Sequence, residues 1–268
     1  MNLVKKIING LKSKIRGRSK LKHAKLNPKY DKFFSFSEAI KFYKNRNDIY
    51  MYFHHCYNHG LPKPLQEHRE YIEKNEKGFG EPAFHTMWWK LIIEFKPKNC
   101  LEIGVYRGQV ISLWTLISKL EKQDMRVSGI SPFSSLSDSV SEYMNTIDFY
   151  QDVQETFEEL DLKKPSFVRG LSSDDKAIEY IKSRVWDMVY IDGGHDYEDV
   201  LSDYKLCLEN IKKGGLIIFD DASLYTDYQP LPFSFAGHPG PSLVAREYAD
   251  KEMRFVGAVG HNNVYMKK

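Results

Sequence analysis

The sequence predicts an α/β fold: a doubly wound, Rossmann-like, seven-stranded sheet with a helical N-terminal extension. Three observations carry this reading. From Asn99 onward, strand-like and helix-like stretches alternate as in consecutive βαβ units. A glycine-bearing turn, Glu102-Ile103-Gly104-Val105-Tyr106-Arg107-Gly108, joins the first strand to a helix. Two apolar runs, Trp186–Asp192 and Gly214–Asp221, end abruptly in acid, as buried parallel strands do when they deliver carboxylates at their C-terminal tips.

The elements follow in order. Residues 30–95 read as mostly helical, with helices near Ser37–Tyr52 and Phe84–Phe95 and breakers at Gly60-Leu-Pro-Lys-Pro and Gly78-Phe-Gly-Glu-Pro82. Cys100–Val105 is a strand, Val110–Leu120 a helix and Arg126–Ile130 a strand. A Ser-rich link, Ser131–Ser141, leads into a helix near Tyr143–Leu160; Ser166–Arg169 is the next strand and Asp174–Lys182 the next helix. Between the two acid-tipped strands, Val200, Leu201, Tyr204, Leu208 and Ile211 fall at helical spacing, and Gly214-Gly215 supplies the stop. A long loop at 222–240, a helix at Ser242–Lys251 and strands near Arg254–Val259 and Asn263–Met266 complete the chain. Three units are expected: a basic arm at 1–29, a helical accessory or lid segment at 30–95, and the main domain at 96–268.

Bulk properties narrow the function. Of the 268 residues, 42% are hydrophobic, sufficient for a packed core. No apolar run approaches the ~20 residues needed to span a bilayer, and no signal-peptide pattern follows the basic N-terminus. Cys56, Cys100 and Cys207 fit neither a disulfide framework nor a zinc motif, so a cytoplasmic location is expected. The net charge is +3, yet residues 1–29 hold ten Lys/Arg and no acid, which leaves about −7 on the rest. That balance argues against nucleic acid as a partner. Leu3, Val4, Ile7, Ile8, Leu11 and Ile15 share one helical face in the arm, a pattern suited to peripheral contact with the inner membrane face or to packing on a neighbouring subunit of a homo-oligomer.

Adjacent strands lie roughly 4.8 Å apart, so Asp192, Asp220 and Asp221 should converge, and three carboxylates in one place call for a cation. The alternative is helix capping by acids after strands. At the other end of the sheet's ligand edge, Gly104 and Gly108 differ from the G-x-G-x-x-G of a pyrophosphate site, because Tyr106 and Arg107 are bulky; Glu102 suits a ligand with a cationic amino group.

The Glu102–Gly108 turn resembles the first motif of class I S-adenosylmethionine-dependent methyltransferases. The string Asp192-Gly-Gly-His195-Asp-Tyr197, with the acid pair Asp220-Asp221, is similar to that of metal-dependent bacterial sugar O-methyltransferases acting on macrolide and aminocoumarin sugars. The resemblance spans Asn99–Ser223 and barely touches residues 1–80. It implies a methyltransferase domain at 96–268 that binds S-adenosylmethionine against Glu102, Gly104, Val105, Tyr106 and Gly108. Gly170 and Ser172 would line the adenine side. Most relatives of this class carry an acid for the ribose at the tip of the second strand, where this chain has Ser131. The resemblance also implies a divalent metal, Mg²⁺ or Mn²⁺, on Asp192, Asp220 and Asp221, with His195 or Asp192 as general base. His238 lies on a loop placed to cover the substrate.

The expected reaction is methyl transfer to a hydroxyl of a sugar or nucleotide-sugar, for a surface polysaccharide or secondary metabolite, with a vicinal diol on the metal. A Lys-, Asn-, Phe- and Tyr-rich composition accords with an AT-rich bacterial genome. Two other readings stay open at this stage: a catechol-like acceptor, and a non-catalytic α/β protein that binds an adenosine ligand.

Overall fold

The computed structural model describes residues 23–134 and 148–268. The basic arm, up to residue 22, and most of the Ser-rich link, with the predicted helix start at Tyr143, lie outside the described residues. Four helices come first: α1 (Phe36–Phe42), α2 (Arg46–His59), α3 (Lys63–Lys74) and α4 (Pro82–Phe95). Then follow β1 (Asn99–Ile103), α5 (Gln109–Leu120), β2 (Arg126–Ser131), α6 (Phe149–Glu159), β3 (Ser166–Arg169), α7 (Asp175–Lys182), β4 (Trp186–Ile191), α8 (Tyr197–Asn210) and β5 (Ile211–Phe219). The chain closes with α9 (Pro239–Val244), which continues through a π turn, and a hairpin of β6 (Arg254–Val259) and β7 (Asn262–Met266).

The seven strands form one sheet in the order β3-β2-β1-β4-β5-β7-β6, as the α/β reading requires. The first five are parallel, and β7 runs antiparallel to both β5 and β6. Alternation along the strands puts a core on each face. Met188, Tyr190, Leu216 and Ile218 join Trp88 and Trp114 on one side; Val189, Ile191, Ile217 and Phe219 join Val200, Tyr204 and Cys207 on the other. Both faces are covered, which is why these strands read as apolar runs rather than alternating ones.

Two sequence expectations are corrected in the N-terminal helices. The helix predicted over Ser37–Tyr52 is two helices, because Tyr43 turns extended and Asn45 caps a fresh start by accepting the Asp48 amide. The stretch Gly60-Leu-Pro-Lys-Pro breaks one helix but also begins α3: Pro62 is its N-cap and Pro64 sits in its first turn, where a missing N–H costs nothing. The strand expected from Gly214 starts at Ile211.

The accessory helices are tied to the turn after β1. Arg107 Nε lies 2.6 Å from Asp152 Oδ2, and Lys77 Nζ lies 2.6 Å from Asp152 Oδ1, with all three side chains no more than 11% exposed. Arg107 also donates to the Glu76 carbonyl at 2.8 Å, and Tyr106 packs between Phe79 and Phe149. These bulky turn residues, unusual at a ligand-binding turn, are therefore used to clamp residues 76–79 and α6 onto it. Replacing Asp152 with Ala leaves two buried cations unpaired. The expected loss is about 3–5 kcal/mol of unfolding free energy, read from the midpoint of urea denaturation; a change below about 1 kcal/mol would refute the clamp.

Candidate active site

The C-terminal tips of β1, β4 and β5 meet at one point. In the parallel register Ile103 pairs with Ile191 and Ile191 with Phe219. The next residues continue the ladder, with the Asp192 amide donating to the Ile103 carbonyl at 2.9 Å and the Asp220 amide to the Ile191 carbonyl at 3.0 Å. Gly104 follows directly after β1 with φ +94°, and a Cβ built on it would sit 1.8 Å from the Asp192 carbonyl oxygen. Only glycine permits that approach.

Asp192 and Asp220 are pushed in opposite directions. Burial, then the negative charges of Asp220, Glu102 and Asp221, push the Asp192 carboxyl well above its usual range, so it is the protonated partner. Burial also opposes ionisation of Asp220. The His261 imidazole and hydrogen bonds from Asp192 and Tyr190 outweigh it and hold Asp220 down to about 2. His261 is the counterpart: burial disfavours its charge, but Asp220, with Glu81 and Asp221 behind it, raises it to about 10.

Asp221 occupies the left-handed region at φ +51°, a conformation that short polar residues tolerate at a cost. Its backbone carbonyl is fixed there by the His238 amide at 2.9 Å and the Ser242 hydroxyl at 3.0 Å. The two carboxylate oxygens then face different groups. Oδ2 lies 3.1 Å from His195 Nε2 and 3.6 Å from His238 Nε2; Oδ1 lies 3.7 Å from His261 Nε2. Two sets of metal-capable ligand atoms result, Asp220/Asp221/His261 and His195/Asp221/His238, each lying within 4.8 Å of one another. A small cavity of about 10 Å³ opens among Asp192, Gly193, Gly194, His195, Asp220, Asp221 and Pro241.

On the cofactor side, Glu102 is 1% exposed and accepts from the Ile111 amide in the first turn of α5, while its Oε2 has no hydrogen-bond partner. Burial pushes this carboxyl well above the usual range. Val105 is buried and Tyr106 is packed between rings, so both offer backbone rather than side chain to a ligand. Gly108, at φ +88°, precedes α5 and rests on Val153. Ser131 is at the tip of β2, and its Oγ accepts from the Phe133 amide at 3.2 Å. Gly170 follows β3 and donates to the Ser131 carbonyl. The Ser172 hydroxyl faces the buried Asp203 carboxyl, whose ionisation burial opposes and Ser172 favours.

The structure adds residues absent from the sequence reading: His261 in the β6–β7 turn, and the pair Tyr50–Glu81, joined at 2.6 Å, whose carboxylate faces His261. A signal existed for His261. Once β7 is placed antiparallel beside β5, a residue just before its start must neighbour the acids just after the end of β5. Tyr50 and Glu81 carry no such signal, because their contact is made by packing of α2 against the start of α4.

Comparison with known proteins agrees with this architecture. Residues 101–222 match a family model described as a methyltransferase domain. An uncharacterised protein of Acanthamoeba polyphaga mimivirus is 30% identical over 138 residues, 49% of this chain and 53% of that protein, so the match spans about half of the relative. Among solved structures, an O-methyltransferase from Bacillus cereus in complex with SAH superposes with a TM-score of 0.53 at 14% identity, covering 79% of this chain and 95% of the other. A candidate caffeoyl-CoA O-methyltransferase from Staphylococcus aureus gives 0.53 at 16% identity, with coverage of 79% and 95%. An SAH-bound methyltransferase from Podospora anserina gives 0.53 at 13% identity, covering 78% and 90%. At such identities the likeness shows a shared fold. Residues 101–222 are thus similar to a methyltransferase domain, and they lie in a Rossmann-like sheet that this chain's own helices and hairpin extend on both sides.

Proposed function

We propose that the protein transfers a methyl group from S-adenosylmethionine to a hydroxyl oxygen of a sugar or nucleotide-sugar, with a divalent metal on the acid cluster. The observation that carries the reading is the contact of Gly104 with the Asp192 carbonyl, which sets a methyltransferase-type turn directly beside the clustered acids.

The residues fit both groups. The unpartnered Oε2 of buried Glu102 and the glycine turn before α5 suit a ligand bearing an ammonium, and Ser131, Gly170 and Ser172 border the same edge of the sheet. Asp220 Oδ1 is likewise buried without a hydrogen bond, and Asp220 and Asp221 offer the hard oxygens that Mg²⁺ and Mn²⁺ prefer, with Asp192, the third expected ligand, beside them but outside both sets of clustered ligand atoms. The cofactor, when bound, supplies an electrophilic methyl on a sulfonium, and the metal supplies a Lewis acid that eases deprotonation of a bound hydroxyl.

The protein's own contribution is alignment and a proton acceptor. Asp221 Oδ2 accepts from His195 Nε2, an orientation that supports His195 as the base. Asp192, whose carboxyl burial and then Asp220 push well above its usual range, is the rival base. With the cofactor bound, His195 would take the proton of the acceptor hydroxyl as its oxygen receives the methyl group and the thioether leaves. The ring of His238, 4.3 Å from that of His195, and the 222–240 loop close the site from outside. The sugar acceptor rests on the Asp192–Tyr197 string and its resemblance. A catechol-like acceptor is the second reading, favoured by the fold shared with the Staphylococcus aureus protein.

Three outcomes test this. His195→Gln should lower kcat by about 10²–10⁴ with S-adenosylmethionine affinity unchanged; activity within about threefold of wild type removes His195 as base. Combined Asp220→Asn and Asp221→Asn should eliminate chelator-sensitive methyl transfer, and undiminished turnover in that variant would sink the metal proposal. A screen of nucleotide sugars against catechols, scored by S-adenosylhomocysteine formed, should show turnover with the sugars; turnover confined to catechols reverses the acceptor assignment.

A further inference from the structure

The acid pair has a neighbour that comes from outside the matched segment. His261 lies in the two-residue turn between β6 and β7, and its side chain is 9% exposed. Its Nδ1 is 3.0 Å from the Phe235 carbonyl, which can only accept, so the proton of that nitrogen is fixed there. Nε2 is thereby aimed the other way, 3.3 Å from Asp220 Oδ1 and 3.7 Å from Asp221 Oδ1. Phe84 meets the ring edge-on at 4.7 Å and Phe235 at 6.0 Å, which holds its plane. The Gly260 backbone packs against Phe84 and Tyr50 and fixes the turn itself.

These are the features of a ligating histidine. A metal-bound imidazole characteristically donates its second N–H to a carbonyl or carboxylate, which sets ring orientation. Ligand atoms at about 2.1 Å from an ion lie roughly 3 Å apart when they are neighbours on an octahedron, close to the spacings seen here. Asp220 Oδ1, a buried atom that makes no hydrogen bond and has the His261 ion pair beside it, faces the same point. His195 is directed to the other oxygen of Asp221, so a cation on the Oδ1 side leaves the base in place.

We propose that His261 Nε2 is a ligand of the cation held by Asp220 and Asp221, which makes the centre a mixed nitrogen–oxygen site that prefers borderline first-row ions to Mg²⁺. The inference rests on the metal reading above and refines it. Imidazole adds far more to the binding of Co²⁺ or Zn²⁺ than to that of Mg²⁺, whereas carboxylates serve all of them.

Calorimetric titration of the full chain with Mg²⁺ and Co²⁺, in the wild type, His261→Ala and His261→Gln, tests it, with circular dichroism to verify folding. The expected result is a loss of about 10- to 100-fold in Co²⁺ affinity in either variant, with Mg²⁺ affinity changed by less than about threefold. Unchanged Co²⁺ affinity in a folded variant overturns the role of His261 while leaving the metal itself intact. Failure of the wild type to bind either ion overturns the metal reading as well. Pulsed electron paramagnetic resonance of the wild type loaded with Mn²⁺ needs no variant: nitrogen coupling from a bound imidazole is expected, and its absence refutes the assignment.

Discussion

The constraint on which the site rests is the contact between Gly104 and the carbonyl of Asp192. A hydrogen in place of a methyl group at one Cα lets the turn after β1 lie directly on the turn after β4. Everything proposed for the site depends on that proximity. On the proposed reading the first turn holds the cofactor and the second carries the acids, so backbone packing rather than flexible side chains would set the distance between donor and acceptor. Reacting atoms must be brought to about 3–3.5 Å with proper alignment, and rigid elements do this better than mobile ones. The clamp of Arg107 and Lys77 on Asp152 secures the same turn from the opposite side.

The electrostatics of the acid cluster follow from crowding. Four carboxyls, of Asp192, Asp220, Asp221 and Glu102, interact within one partly buried region, and they cannot all be ionised there without compensation. Two devices limit the repulsion in the structure described: burial, which favours the neutral form of Asp192, and the imidazole of His261 beside Asp220. Asp221 contributes a third by geometry. Its left-handed backbone turns the carboxylate so that its two oxygens serve separate groups, one towards His195 and one towards His261.

Much of this was legible in the sequence, and the part that was not has a physical reason. Strands β1 to β5 and the convergence of their tips follow from apolar runs with acidic or glycine ends, because parallel strands covered on both faces leave that pattern. The split between α1 and α2 was written in Asn45, whose capping role competes with the apolar periodicity that runs across it. Helix α3 was obscured because its prolines mark both an end and a beginning. His261, Glu81 and Tyr50 were hidden for another reason: they reach the acids only through tertiary packing, from positions distant in the chain from any motif. Ser131 and Ser172 are at the sheet edge where the sequence put them, yet their hydroxyls already serve the Phe133 amide and the Asp203 carboxyl.

The hairpin that carries His261 has a wider consequence. Arg46 in α2 reaches across to Ser223 at 2.8 Å and to Asn263 of β7 at 2.7 Å, joining the start of the accessory helices to the end of the sheet. The working centre therefore extends well past the recognisable segment in both directions. A graft of residues 101–222 onto another scaffold would carry the acids and the glycine turn but leave behind the imidazole that faces them and the helices that hold it. On the proposed metal reading, the preference among ions would be set by a residue that lies outside the segment resembling a methyltransferase domain.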